Sequence, residues 1–159
     1  MQIRDYQSRD LEALLALWLD ASIQAHHFVD PDFWRSKVED MRNLYIPNAQ
    51  TRVAERDGQL LGFYCLHEDR LAAIFVGVQH QGQGLGTQLL ADARERRSRL
   101  ELAVYAANLP SIGFYRQQGF QVIDNGIDPD TGQAELIMAW PGGTTGLTDT
   151  LSDSGPEPA

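Results

Sequence analysis

A single cysteine, Cys65, in 159 residues excludes an intrachain disulfide framework and fits a reducing compartment. Cys65 itself is expected as a small buried hydrophobe. No apolar run approaches the roughly 20 residues that span a bilayer. The opening MQIRDYQSRD has no apolar segment of the signal-peptide kind, so a cytoplasmic protein is expected. Basic residues are scarce: 13 lysines and arginines stand against 22 aspartates and glutamates. The resulting net charge of −9 argues against a general nucleic-acid binder, which needs a cationic footprint. Acidity is compatible with a cationic partner but does not identify one.

What is present is an ordinary core composition, 43% hydrophobic and 22% charged, sufficient for one globular domain. Residues 3–6 suit a short strand, and Ser8 can cap a helix in which Leu11, Leu14, Leu15, Trp18 and Ala21 recur at helical spacing. Asp30-Pro31 reads as an N-cap followed by proline at the first helical position. It opens a second helix, PDFWRSKVEDMRNLYI, with Phe33, Trp34, Val38, Met41 and Tyr45 to one side. Residues 51–55 and 60–66 flank the hairpin dipeptide Asp57-Gly58, and residues 71–78 complete an antiparallel meander. A helix over about 84–98 follows, turning Leu85, Leu89, Leu90 and Ala93 inward. Residues 100–106 are apolar on both faces, as in a central strand. A short helix over 110–118 is stopped by Gly119, and strands 120–123 and 134–140 are joined by NGIDPDTG.

The predicted order is β-α-α-β-β-β-α-β-α-β-β. It makes an α/β chain of the α+β kind, a mixed sheet with helices on both faces. Residues 1–141 form the expected domain. Residues 142–159, rich in Gly, Ser, Thr and Pro, read as a disordered tail.

The most informative stretch is VQHQGQGLGTQLL, residues 78–90, where Gly82, Gly84 and Gly86 stand between a strand and a helix. Such a turn is an anion cradle, since the first N–H groups of a helix lack intrahelical partners and the dipole favours negative charge. A dinucleotide fingerprint would need glycine at position 87, which is Thr87, and a P-loop would need a lysine before Thr87. Both fail on a required residue.

Gln81-Gly82-Gln83-Gly84-Leu85-Gly86 resembles the Q/R-x-x-G-x-G/A motif of the GCN5-related N-acetyltransferases. Downstream, Asn108 through Tyr115, NLPSIGFY, followed by Gly119-Phe120, is similar to that family's second signature. The segments LWLDASIQAHHF, AIFV, NLPSIGFY and IMAWP more narrowly resemble small bacterial peptidyl-lysine N-acetyltransferases. The resemblance covers about residues 2–141 and implies the acyl-CoA N-acyltransferase fold. It implies acetyl-CoA as acetyl donor, no metal, and an amine acceptor that is a protein lysine or a small molecule. Neither nucleic acid nor membrane is implied, and the chain is expected as a monomer or homodimer.

The resemblance also assigns residues. Main-chain groups of Ile74, Phe75 and Val76 would hold the pantetheine and the acetyl carbonyl, with an oxyanion-stabilising N–H near Phe75 or Val76. Gln81, Gly82, Gln83, Gly84, Leu85, Gly86 and Thr87 would cradle the pyrophosphate. Asn108, Ser111 and Phe114 complete the donor site, and Tyr115 is the general acid for the leaving thiolate. Gln81 and Thr87 stand where many relatives carry cations, so the cradle leans on main-chain N–H groups. Arg94, Arg96, Arg97 and Arg99 either reach the nucleotide 3′-phosphate or form a solvated helix face.

The acceptor amine raises a separate requirement. A lysine with pKa about 10.4 is neutral about once in 2,500 molecules at pH 7, so direct attack needs a proton acceptor or desolvation. LAAIFV contains no ionisable residue. His26 in AHHF is the candidate base; Glu68 and a water chain to solvent stay open beside it. Three functions remain: protein-lysine acetylation, small-amine acetylation, and a CoA-binding regulatory module with little catalysis.

Overall fold

The computed structural model describes residues 1–142. The expected tail, residues 142–159, lies outside the described residues apart from Gly142. Seven strands form one mixed sheet in the order β1-β2-β3-β4-β5-β7-β6. They are β1 Gln2–Asp5, β2 Gln50–Arg56, β3 Gln59–His67, β4 Arg70–Val76, β5 Leu100–Tyr105, β6 Gln121–Ile127 and β7 Ala134–Trp140. Helices α1 Leu11–Ala25 and α2 Pro31–Ser36, with the single turn α3 Val38–Asp40, lie on one side; α4 Leu85–Arg94 and α5 Leu109–Gln117 lie on the other.

Strand alternation divides the core in two. Phe63, Cys65, Ala73, Phe75 and Tyr105 pack with Leu14, Leu15, Trp18 and Ala21 of α1 and with Trp34 of α2. Tyr64, Leu66, Leu71 and Ile74 join Leu100, Leu102 and Val104 under Leu85, Leu89, Leu90 and Ala93 of α4. Trp18 and Trp34 meet edge to face with centroids 6.1 Å apart, a geometry that adds about 0.5–1.5 kcal/mol beyond area burial. Asp57 and Gly58 both take positive φ, 53° and 81°, as the tight β2–β3 hairpin requires.

Four expectations change. Ser8 is not a cap: Gln7 precedes a 3-10 turn, Ser8–Asp10, and Asp10 Oδ2 accepts the Gln7 N–H at 2.8 Å while pairing with Arg4. The second helix breaks at Lys37 and continues as a π-helical turn, Met41–Tyr45. The wider turn, closed by Ile46 N–H to Met41 C=O at 3.0 Å, brings Met41 and Ile46 to one side, and both are buried. Helix α4 stops at Arg94 rather than near 98: Arg96 folds back onto the Asp92 C=O at 3.0 Å, and Arg97 reaches across to the Glu68 C=O at 2.7 Å. Strand β6 runs on through Asp124 to Ile127, absorbing Asn125, Gly126 and Ile127 from the expected loop. The remaining loop is organised by Asp128, whose carboxylate accepts from Tyr105 Oη at 2.6 Å, Asp130 N–H at 2.9 Å and Thr131 Oγ1 at 3.2 Å.

The feature that positions the site is the junction of β4 with β5. These parallel neighbours share one register pair, Arg70 with Glu101, near their N-terminal ends. Towards Val76 and Tyr105 no further pair joins them among the described residues, and the sheet is open there. No helix among the described residues is long and apolar enough to cross a membrane.

Candidate active site

A cavity of about 640 Å³ occupies the open end of the sheet, between the β4–α4 loop and the start of α5, with the end of α1 beside it. Ile74 and Val76 line it from β4. Gly77 N–H bonds Leu61 C=O at 2.8 Å, so the β3–β4 ladder continues past Val76. Backbone N–H groups alternate sides along a strand, which turns the Val76 N–H and C=O toward β5 and the Phe75 N–H toward β3. Phe75 is one residue from the gap but not in it; its ring stacks on Phe63 at 5.8 Å. The Val76 C=O accepts Gln81 Nε2 at 3.3 Å, and the same amide reaches Gln24 Oε1 of α1 at 3.0 Å.

The glycine loop is bare backbone facing this space. Gly82 and Gly84 hold φ of 80° and 82°, and a Cβ on either would meet nothing within 4 Å. Gly84 is the N-cap of α4 and has no side chain to cap it. The first helical bond is Gln88 N–H to Gly84 C=O at 3.2 Å, which leaves the N–H groups of Leu85, Gly86 and Thr87 without intrahelical acceptors. Across the cavity, Asn108 caps α5 by accepting Ser111 N–H on Oδ1 at 3.3 Å. Its Nδ2 is buried with no hydrogen-bond partner among the described residues. An unhindered N–H cradle at one end and an orphaned amide donor in a residue lining the same cavity as Val76 fit the pyrophosphate and the amide-bearing pantetheine of coenzyme A.

The structure therefore brings Ile74, Val76, Gln81, Gly82, Gly84, Leu85, Gly86, Thr87, Asn108, Ser111 and Phe114 to one cavity. Gln83 is exposed and outside it. Tyr115 is fully enclosed between Phe114 and Phe120, with centroids 5.4 and 5.6 Å away, and its ring is not part of the cavity wall. It follows Ser111, which does line the wall, by one helical turn.

His26 stands in the turn after α1, as the sequence places it, but its side chain does not reach the cavity. It is wholly buried, stacked on Trp34 at 4.9 Å and edge-on to Tyr105 at 5.2 Å. The cavity is lined instead by its neighbour His27, with Gln24 and Ala25, and by His80 of the 3-10 turn Val78–His80. These are the residues that reading the chain missed. Glu68 sits at the far end of β4, in the β3–β4 turn with φ 55°, where its C=O accepts Arg97 Nε at 2.7 Å.

The four arginines are also elsewhere. Arg94 donates to Gln118 C=O and lies over Trp140 and Phe120, at 4.9 and 5.7 Å; burial pulls its pKa down. Arg96 binds Asp92, Arg97 the Glu68 C=O, and Arg99 both Glu101 and Asp69. All are at the C-terminal end of a helix about 15 Å long, with the cradle at its start. Neither the 3′-phosphate reach nor a plain solvated face describes them.

Comparison with known proteins agrees with this geometry. The family profile of the acetyltransferase (GNAT) domain matches residues 47–122. Peptidyl-lysine N-acetyltransferase YiaC of Escherichia coli K12 is 39% identical over 140 residues, covering 87% of this chain and 96% of YiaC. The solution structure of apo YjaB from Escherichia coli superposes with a TM-score of 0.76 at 27% identity, over 89% of this chain and 98% of YjaB. The PaiA N-acetyltransferase of Thermoplasma acidophilum, solved in complex with coenzyme A, shares the fold with a TM-score of 0.68 at 19% identity, over 87% and 96% of the two chains. The split between β4 and β5, the glycine cradle at the start of α4 and the extent of the YiaC match lead to one conclusion: this chain belongs to the GCN5-related N-acetyltransferase family.

Proposed function

We propose that this chain, in the cytoplasm, transfers the acetyl group of acetyl-CoA to the side-chain amine of a protein lysine by direct attack. The observation that carries this reading is the single cavity running from the glycine cradle to the Val76 main chain, with a titratable side chain, His27, in the same wall. The lysine acceptor is supported by the similarity to YiaC and to YjaB, which is 30% identical over 87% of this chain. Acetyl-CoA supplies a thioester already activated for acyl transfer. The N–H groups of Leu85, Gly86 and Thr87 bind its pyrophosphate, with the α4 dipole adding about 0.3–2 kcal/mol. Asn108 Nδ2 donates to a pantetheine carbonyl. The Val76 N–H points at the carbonyl oxygen and stabilises charge developing there. His27 takes the role first given to His26: its imidazole accepts the proton of the incoming amine. Tyr115, enclosed beside the wall residue Phe114, is assigned the role of proton donor to the departing sulfur.

The test is an acceptor screen with mass-spectrometric detection of acetylated product, comparing lysine peptides and folded proteins with polyamines, free amino acids and aminoglycosides. The chain contains one lysine, Lys37, so self-acetylation on lysine has a single site to monitor. Acetylation of peptide lysine is the expected result, with Tyr115→Phe slowing turnover by about 100-fold at unchanged donor affinity. Turnover on small amines alone would replace the lysine reading. Donor binding without turnover on any acceptor would leave a CoA-binding module.

A further inference from the structure

Among the described residues, no lysine or arginine lines the cavity assigned to the donor, or the smaller cavity beside it. That second cavity, about 450 Å³, lies between α1, the start of β3 and residues 77–80, and shares Gln24 and His80 with the first. A helix N-terminus presents about half a positive charge. A pyrophosphate carries far more negative charge than that, and the arginines of this chain nearest in sequence are held at the other end of α4. Resting on the donor assignment above, we infer that His80 is the cation of this cradle, and that its protonated imidazole pairs with the coenzyme A pyrophosphate and makes donor affinity pH-dependent.

The placement of His80 carries the inference. It precedes Gly82 by two residues, and its N–H is fixed by Gly77 C=O at 2.8 Å. Its ring lies over Gly77, with Cδ2 at 3.4 Å from where a Cβ would stand, so the glycine leaves room for it. Half-buried, it forms the wall between the two cavities. The groups sharing that wall are Asp20 and Gln24 from α1, Gln59 from β3, and Gln79 and Gln81 from its own segment, with His27 in the donor cavity. Asp20 is the one formal charge among these described residues. Imidazole is the side chain whose charge changes around neutral pH, so a phosphate site built on it responds there. Asp20 lines only the second cavity, whereas His80 also lines the donor cavity together with the glycine loop, so no carboxylate among the described residues lines the donor cavity with it.

The experiment is calorimetric titration of the full chain with acetyl-CoA at about pH 6, 7 and 8, at constant ionic strength. The second ionisation of the 3′-phosphate lies near 6, so the same series is run with the 3′-dephospho analogue, whose pyrophosphate does not titrate in this range. Wild type is expected to bind both ligands about fivefold more tightly at pH 6 than at pH 8. His80→Gln should bind with the wild-type pH 8 affinity throughout. His80→Lys, a fixed cation, should restore the pH 6 affinity at pH 8, a gain that a misfolded variant cannot show. His27→Gln should keep the slope. A slope that survives in His80→Gln, or a His80→Lys no tighter than His80→Gln at pH 8, would overturn the inference. Tight but flat binding by wild type would overturn His80 alone, whereas no binding at any pH would overturn the donor assignment with it.

Discussion

Gly84, Gly86 and Gly58 allow the two reasons for a glycine to be separated by one methyl group. Gly84 and Gly58 share a left-handed backbone, φ 82° and 81°, and in neither case would a Cβ meet anything within 4 Å. Alanine at either position carries the same conformational strain, about 1–2 kcal/mol, which for a chain of this size lowers Tm by about 2–8 °C. Gly58 lies in the β2–β3 hairpin, away from the cavity; Gly84 lines it. Gly84→Ala should therefore lose at least about tenfold in acetyl-CoA affinity, about 1.4 kcal/mol, because the methyl stands between the backbone and the pyrophosphate. Gly58→Ala should bind as wild type. Gly86 is the opposite case: it lies inside the first turn of α4, without positive φ, and its Cβ would meet Phe114 Cζ at an ordinary 3.5 Å. Alanine there gains about 0.5–1 kcal/mol of helix stability and should keep donor affinity within about threefold. Thermal unfolding and calorimetric titration of the three variants read both quantities. Donor affinity unchanged in Gly84→Ala would show that the glycine serves the turn and not the ligand. Equal Tm in Gly84→Ala and wild type would refute the strain argument itself.

Two further outcomes follow from the ion pairs and from the thiol. Asp10 is held below the usual carboxylate range by hydrogen bonds from Arg4; for Asp92, burial works against the charge but Arg52, Tyr64 and Arg96 outweigh it. Carboxylates depressed in the folded state stabilise it fully above their unfolded pKa of about 4, and that contribution is lost as pH falls through the folded value. Urea midpoints should accordingly be flat from about pH 7 to 5 and drop below about pH 4. Asp92→Asn should cost about 2–3 kcal/mol at neutral pH and flatten that drop, and an undiminished acid slope in the variant would count against it. Cys65 is buried beside Thr51 Oγ1 at 3.3 Å, and burial pushes its thiol up to about 12. Iodoacetamide at pH 8 should leave the native chain unmodified and label it after unfolding, as read by mass; rapid labelling of the native chain would contradict the burial.

Where a segment's structure is decided by its own residues, the sequence was a sound guide. The Asp57-Gly58 hairpin, the apolar β5 and the glycine cradle each rest on local conformational limits or on a burial pattern visible within a few residues. The displacement of Ser8 is local, through Asp10 accepting from Gln7 and pairing with Arg4, but two other departures involve partners distant in sequence. The π-turn at Met41–Tyr45 exists because Met41 and Ile46 share a core with Phe63 and Phe75. At the end of α4, Arg94 meets Gln118, Phe120 and Trp140, and Arg97 meets Glu68. Nothing in the run ARERRSR announces those contacts.

The same division runs through the active site, and the histidine doublet shows it most clearly. Trp18, Ser22 and His26 follow one another at four-residue steps along the buried stripe of α1. That spacing turns His26 into the aromatic core and its neighbour outward. The periodicity thus contained the choice between His26 and His27, but only if the helix was followed to its last turn and one residue past it. His80 is different, because its place in the wall depends on the α1 side chains opposite and on the bare Gly77 beneath it. The donor half of the proposed reaction draws largely on main-chain N–H groups, which a glycine motif can announce. The groups proposed to manage protons and charge are side chains gathered from α1, the β4–α4 loop and α5, and their meeting is a property of the open sheet between β4 and β5.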